Sequence, residues 1–171
     1  IGNLEVDATR RDGYPGIGGI NSEGNVSNSY YIGDIYYKTD TSTTSSGPSV
    51  YCSLLTGKGD VTNSFVRGKI TNKQETNYST YFGYLTTHQE GKAEPGVVNS
   101  YYTDDTSYTG TAVLYNGGIQ FSRDLLKTSN WYQNTLNIGE YWKLIDGYYP
   151  QLYRCDFDNS TKTCTPTTVL L

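Results

Sequence analysis

At 171 residues the chain is long enough to bury a core, as one domain or as a few small repeats. Its 18 tyrosines and 19 glycines, set among abundant Thr, Ser and Asn, are the residue types of pleated strands and tight turns. A formal net charge of −4 argues against a nucleic-acid partner, which needs a concentrated basic patch, and no run approaches the ~20 apolar residues of a membrane-spanning helix.

The N-terminal stretch "IGNLEVDATRRDGYPG" has no apolar block of the signal-peptide kind. The chain contains no methionine, at position 1 included, which points to a segment cut from a longer precursor. Arg10 and Arg11 form the one local basic pair and read as solvated. "GIGGI" at 16–20 is a short apolar strand, and "GNVSNSYYIGDI" at 24–35 follows it. After the polar stretch "KTDTSTTSSGPS", which reads as a surface loop and the most cleavable site in the chain, the order recurs. "SVYCSLL" at 49–55 precedes "GDVTNSFVRGKI" at 59–70, and "STYFGYL" at 79–85 precedes "PGVVNSYYTDDT" at 95–106.

Aligned on the Asn-Ser pair, Asn28, Asn63 and Asn99 fall in register, with Val26, Val61 and Val97 two residues before them. Tyr30, Phe65 and Tyr101 lie two residues after. Side chains alternate faces along a strand, so Val, Asn and the aromatic are expected on one face. Repeats of ~35 residues bury a core only by stacking on their neighbours. The expected fold is therefore all-β, a repeat-built β-solenoid or β-helix-like stack with one short helix near the C-terminal end. Two readings of the asparagines stand side by side: an amide ladder between stacked copies, or a bend where Asn tolerates left-handed φ/ψ. A second signal competes with coils. "SYYIGDIYYK" and "SFVRGKITNK" read symmetrically around Gly33-Asp34 and Gly68-Lys69, as hairpins do, so an antiparallel hairpin-based β-sandwich is the alternative fold. The third copy carries Asp104-Asp105 there instead and either turns differently or ends the array.

Beyond the repeats, "FSRDLLKTSNWY" predicts a short helix, with Ser122 as N-cap, Asp124 in the first turn, and Leu125 and Leu126 for packing. "YWKLIDGYYPQLY" adds a turn at Asp146-Gly147 and an edge strand limited by Pro150. The expected organisation is β repeats over 1–120, a helix-strand cap over 121–153 and a flank or linker over 154–171. Cys155 and Cys164 bracket a short polar loop that a disulfide would close, leaving Cys52 alone; other pairings stay open. Composition favours export, which suits such a bridge.

The array resembles the GLUG repeat of bacterial surface proteins. A glycine-rich apolar strand ("GGI", degenerate here as "CSLL" and "FGYL") precedes a Val-Ser/Thr-Asn-Ser-Tyr/Phe strand. Its end, "FSRDLLK" followed by Trp131, Trp142 and "DGYYPQL", matches the text that closes such arrays, so the likeness covers roughly residues 16–153. The resemblance implies a secreted or cell-wall-attached bacterial protein whose repeats serve as adhesin or stalk modules. Exported metallopeptidases that cleave immunoglobulin A carry similar arrays ahead of their catalytic part. Lost glycines in the second and third copies and the flank "RCDFDNSTKTCTPTT" depart from the pattern.

No catalytic constellation is legible, and the chain reads as noncatalytic. His88 is the one histidine, in a polar stretch with no nucleophile pattern around it, and Cys52 reads as a small buried residue. One His and three scattered Cys show no metal-ligand spacing. "DFDNST" resembles the opening of a calcium loop, but Thr161 replaces its glycine and the late glutamate is missing. Asp104, Asp105, Glu140 and Asp146 read as solvated turn residues rather than a glycosidase pair. The sequons at Asn25, Asn77 and Asn159 read as chance. No cofactor is expected.

What remains is recognition through exposed aromatics, with Tyr31, Tyr36, Tyr37, Tyr102 and Tyr148, and also Tyr141 and Tyr149, as candidates for stacking on sugars or anchoring protein contacts. The expected partner is a host or cell-surface glycan or protein, together with neighbouring domains of a longer chain. Expected alternatives are an accessory domain of an exported peptidase and a carbohydrate-binding or carbohydrate-active β domain.

Overall fold

The structure is a computed structural model. It describes residues 2–8, 16–39, 50–72, 80–87, 93–110, 113–115, 117–136, 142–158, 160 and 163–170, with backbone alone at 7, 8, 39, 80, 113, 114, 152–158 and 163–170. The chain divides into two compact units, Ile1–Arg123 and Asp124–Leu171.

The first unit is all β. Its strands are β1 (Leu4–Ala8), β2 (Gly16–Gly18), β3 (Val26–Ser27), β4 (Tyr30–Ile32), β5 (Ile35–Thr39), β6 (Val50–Ser53), β7 (Val61–Thr62) and β8 (Phe65–Arg67). They continue with β9 (Lys69–Asn72), β10 (Thr80–Gly83), β11 (Val97–Val98), β12 (Tyr101–Thr103), β13 (Ser107–Thr109), β14 (Val113–Tyr115) and β15 (Ile119–Phe121). Four sheets result, in the orders β1-β5-β9-β13, β14-β10-β6-β2, β11-β7-β3 and β15-β12-β8-β4. Every pairing among them is parallel. Each full repeat therefore gives one strand to each sheet and meets its counterpart in the next repeat.

The register follows the sequence alignment. Val26 stands beside Val61 and Val61 beside Val97, and Tyr30 beside Phe65 and Phe65 beside Tyr101. The expected single face does not form, because Asn28, Asn63 and Asn99 take left-handed φ of 48°, 48° and 46° and turn the chain between two sheets. Alternation restarts after each corner. The common core takes Val26, Val61 and Val97 from one sheet but Tyr31, Val66 and Tyr102 from the next, each one residue beyond the aligned aromatic. Tyr30 and Phe65 stack in a separate column, ring centres 4.9 Å apart and planes 11° from parallel. Ile17, Cys52 and Phe82 supply the core from the sheet containing β6, and Ile35, Tyr37 and Ile70 from the sheet containing β9.

The hairpins expected at Gly33-Asp34 and Gly68-Lys69 are not formed. β4 and β5, like β8 and β9, belong to different sheets, and the glycines are corners where the backbones of adjacent segments press together. A Cβ at Gly33 would stand 1.8 Å from the Gly2 carbonyl oxygen, and one at Gly68 would stand 1.9 Å from the Gly33 carbonyl oxygen. No side chain fits that spacing.

The second unit opens with a 3₁₀ turn over Arg123–Lys127, at the boundary between the units, followed by the short helix α1 (Ser129–Trp131) and a π turn over Tyr132–Leu136. Leu126, Tyr132 and Leu136 are buried here. Asp124 lies in the first turn, as expected, whereas Leu125 is 38% exposed. An antiparallel sheet of β16 (Trp142–Lys143), β17 (Gln151–Asp158) and β18 (Thr163–Leu170) completes the unit. Among the described residues no helix is long and apolar enough to cross a membrane.

Candidate functional site

The polar side chains of the repeats first serve the stack itself. At the asparagine corner the amides form a ladder: Asn99 Nδ2 donates to Asn63 Oδ1 at 2.9 Å and Asn63 Nδ2 to Asn28 Oδ1 at 3.4 Å. Bend and ladder are thus both realised at the same residues. One step on, the Ser29 amide donates to Ser64 Oγ and the Ser64 amide to Ser100 Oγ, both at 3.2 Å. On the other flank of the valines, the Asp60 amide donates to Asn25 Oδ1 at 2.9 Å and the Gly96 amide to Asp60 Oδ1 at 2.7 Å. A fourth run joins the Asp34 amide to Asn3 Oδ1 at 2.9 Å and the Lys69 amide to Asp34 Oδ1 at 2.8 Å. In the last three runs each hydrogen bond satisfies a backbone amide at a corner.

The third copy departs at one corner. Phe65 and Tyr101 are register partners 36 positions apart, but Lys69 and Ser107 are partners 38 apart, so Asp104 and Asp105 swell the turn by two residues. Asp105 draws in cations: Arg67 Nη2 lies 2.8 Å and Arg123 Nη1 3.4 Å from its Oδ2, and Thr103 Oγ1 donates to Oδ1 at 2.7 Å. Burial acts to raise this carboxyl, and the donors from Arg67, Thr103 and Arg123 with the Arg67 charge outweigh it, so it titrates below its ordinary range. Asp104 Oδ1 accepts the Arg123 amide at 3.2 Å. Asn3, Asp34, Arg67, Lys69 and Asp105 with the corner glycines line a cleft of about 310 Å³.

The candidate aromatics separate by exposure. Tyr31 and Tyr37 are not surface groups, with exposures of 7% and 0%; strand alternation restarted by the corners turns both inward. Their hydroxyls are held inside the stack, Tyr31 Oη donating to the Gly2 carbonyl at 2.7 Å and Tyr37 Oη lying 3.3 Å from Tyr108 Oη. Burial pushes the Tyr31 hydroxyl up, with Asp34 adding to it. Tyr36 and Tyr102 are half-buried, Tyr36 donating to Asp34 Oδ2 at 3.2 Å and Tyr102 packing on Tyr84 at 4.6 Å. Tyr148, at 60%, is the exposed member of the set, and Tyr149 is half-buried with Lys127 Nζ 5.4 Å from its ring centre.

Cys52 is buried and free, and burial pushes its thiol up, away from the reactive thiolate. In the antiparallel pair Cys155 stands opposite Pro166 and Cys164 opposite Phe157; the side chains of both lie outside the described part, as do His88, Asn77, Asn159, Glu140 and Tyr141. Among the described residues no group of three or more His, Cys, Asp and Glu is placed to hold a metal. Asp146, the other turn acid, is tied to Ser129, its Oδ1 accepting the backbone amide at 2.8 Å and Oγ at 2.7 Å. These bonds hold its carboxyl below the ordinary range. What sequence reasoning missed is the corner cluster: Arg67 and Asp105 are 38 residues apart, and only the two-residue excess in the third copy signals that they meet.

Comparison with known proteins finds no matching family model, no matching curated protein and no matching solved structure.

Proposed function

We propose that the chain is a noncatalytic surface module of a secreted or cell-wall-attached bacterial protein, built as a β-solenoid of the GLUG-repeat kind and acting in adhesion or as a stalk. The observation that carries this reading is registry. Strands about 35 residues apart pair in parallel in four sheets, with Val26, Val61 and Val97 in one column. Such coils lengthen by adding like units, so reach and contact surface grow with copy number. The polar groups of the repeats support the noncatalytic part. Asn63, Ser64 and Asp60 spend their hydrogen-bonding capacity on the neighbouring coil, where a reacting group would have to face a substrate.

Beads coated with the chain test the reading. An adhesin holds them on surfaces bearing immobilised glycans or glycoproteins without releasing fragments of those surfaces, and a stalk leaves them unbound. Release of saccharide or peptide fragments that grows with time would overturn the noncatalytic reading.

A further inference from the structure

In the second unit a cleft of about 520 Å³ lies between the segment Leu125–Thr135 and the turn that carries Asp146, a volume within the range of small-molecule sites. Leu125 and Trp131 are its apolar lining; the remaining lining side chains, among them Lys127, Asn130, Asn134 and Asp146, are polar. One cation and one anion leave the lining without net charge, so neither an anionic nor a cationic ligand is favoured.

The two walls are fixed before any ligand arrives. Asp146 Oδ1 accepts both donors of Ser129, the Gly147 amide donates to the Lys127 carbonyl at 2.8 Å, and the Tyr148 amide closes the turn on the Ile145 carbonyl at 3.1 Å. Preorganised walls lower the ordering cost of binding. Asn134 Nδ2 donates to Asn130 Oδ1, which leaves the Asn130 amino group and the Asn134 carbonyl oxygen as the donor and acceptor that the two lining residues have to offer a ligand. The second oxygen of Asp146 is likewise a spare acceptor, since both Ser129 bonds fall on Oδ1.

An indole beside amide donors and acceptors, in a cleft without net charge, complements a molecule with one apolar C–H face and a rim of hydroxyls. We infer that this cleft binds an uncharged saccharide, one pyranose ring resting on Trp131 with its hydroxyls bonded by Asn130, Asn134 and Asp146. The inference rests on the surface-module reading and supplies its ligand class.

The test titrates the whole 171-residue chain with methyl glucoside, methyl galactoside, methyl mannoside and N-acetylglucosamine, following the Trp131 indole and Asn134 side-chain resonances by NMR, with sialyllactose as the charged comparison. The expected result is saturable shifts of those resonances with at least one neutral sugar, weakened about tenfold or more in Trp131→Ala and in Asn134→Ala. Because Trp131→Ala removes packing, Asn134→Ala, at an exposed position, is the variant that decides if the first fails to fold. No shift with any neutral sugar, shifts with sialyllactose alone, or affinity unchanged in Asn134→Ala would each overturn the site. Bead retention that survives both substitutions would remove this cleft while leaving the module reading intact; fragment release would strike the module reading itself.

Discussion

Gly68 turns the chain at φ +155° with the Gly33 carbonyl oxygen 1.9 Å from where a Cβ would sit. Gly68→Ala is expected to cost about 3 kcal/mol or to prevent folding, because the atoms in the way are the Gly33 carbonyl, backbone that cannot swing aside. Gly147 provides the comparison: φ is +88° but nothing lies within 4 Å of its Cβ position, so Gly147→Ala should cost only the left-handed penalty of about 1 kcal/mol. Urea melts of the two variants measure the difference, and equal costs would mean that coil contact does not act at Gly68. Asn63 separates its two roles in the same way. Asn63→Gly keeps the φ of 48° and removes the amide bonds to Asn28 and Asn99, for an expected loss of about 1 kcal/mol. Asn63→Ala removes the bonds and adds the left-handed strain, for about 2 kcal/mol. If the alanine variant melts no lower than the glycine variant, the corner conformation is not what the asparagine supplies.

Elements meet at corners, and the corner with the two-residue insertion carries a pH dependence. The Asp105 carboxyl is lowered from the ordinary 3.8 against the opposing effect of burial. A lowered folded-state value stabilises the fold when the group is ionised. The contribution is fully present above the unfolded value near 3.8 and is lost as pH falls through the lower folded value. Asp105→Asn should therefore cost about 1 kcal/mol at neutral pH, the scale of a partly exposed ion-pair network, and the difference from the native chain should vanish in strong acid. A constant offset between the two pH profiles would show that the carboxylate charge is not what Arg67 and Arg123 hold. Corners are also where sequence reading lost the thread. Gly33-Asp34 between alternating β-formers suits a hairpin and a coil corner equally, because both need a residue without Cβ; which one forms depends on Gly2 and Gly68 stacking above and below. The positions of Tyr31 and Tyr37 were illegible for the same reason. A face assignment counted from Val26 fails once Asn28 leaves the extended region and the count restarts.

Across the whole first unit, what was legible was the period. Equivalent positions in stacked repeats touch one another, so Val26, Val61 and Val97 face the same demand and keep the same residue, and the Asn-Ser pair recurs because its amide and hydroxyl bond their own copies. Contacts between unlike residues leave no such trace, which is why Arg67 with Asp105, and Ser129 with Asp146, appear only in three dimensions. The same geometry fixes how damage should spread. Val61 is fully buried between Val26 and Val97 on a strand that pairs on both sides, while Val97 is half-buried and ends its sheet. In an array stabilised by nearest-neighbour interfaces the middle position must matter more than the terminal one. Val61→Ala is expected to cost about 2 kcal/mol and Val97→Ala about half of that. Because the substitution at Val61 weakens the coupling between paired repeats as well as the local core, its urea transition should also broaden, with a smaller denaturant slope, while that of Val97→Ala keeps the native slope. Equal costs with unchanged slopes would mean that the first unit unfolds as a globule with one undivided core, and the additive logic of stacked coils would not apply to it.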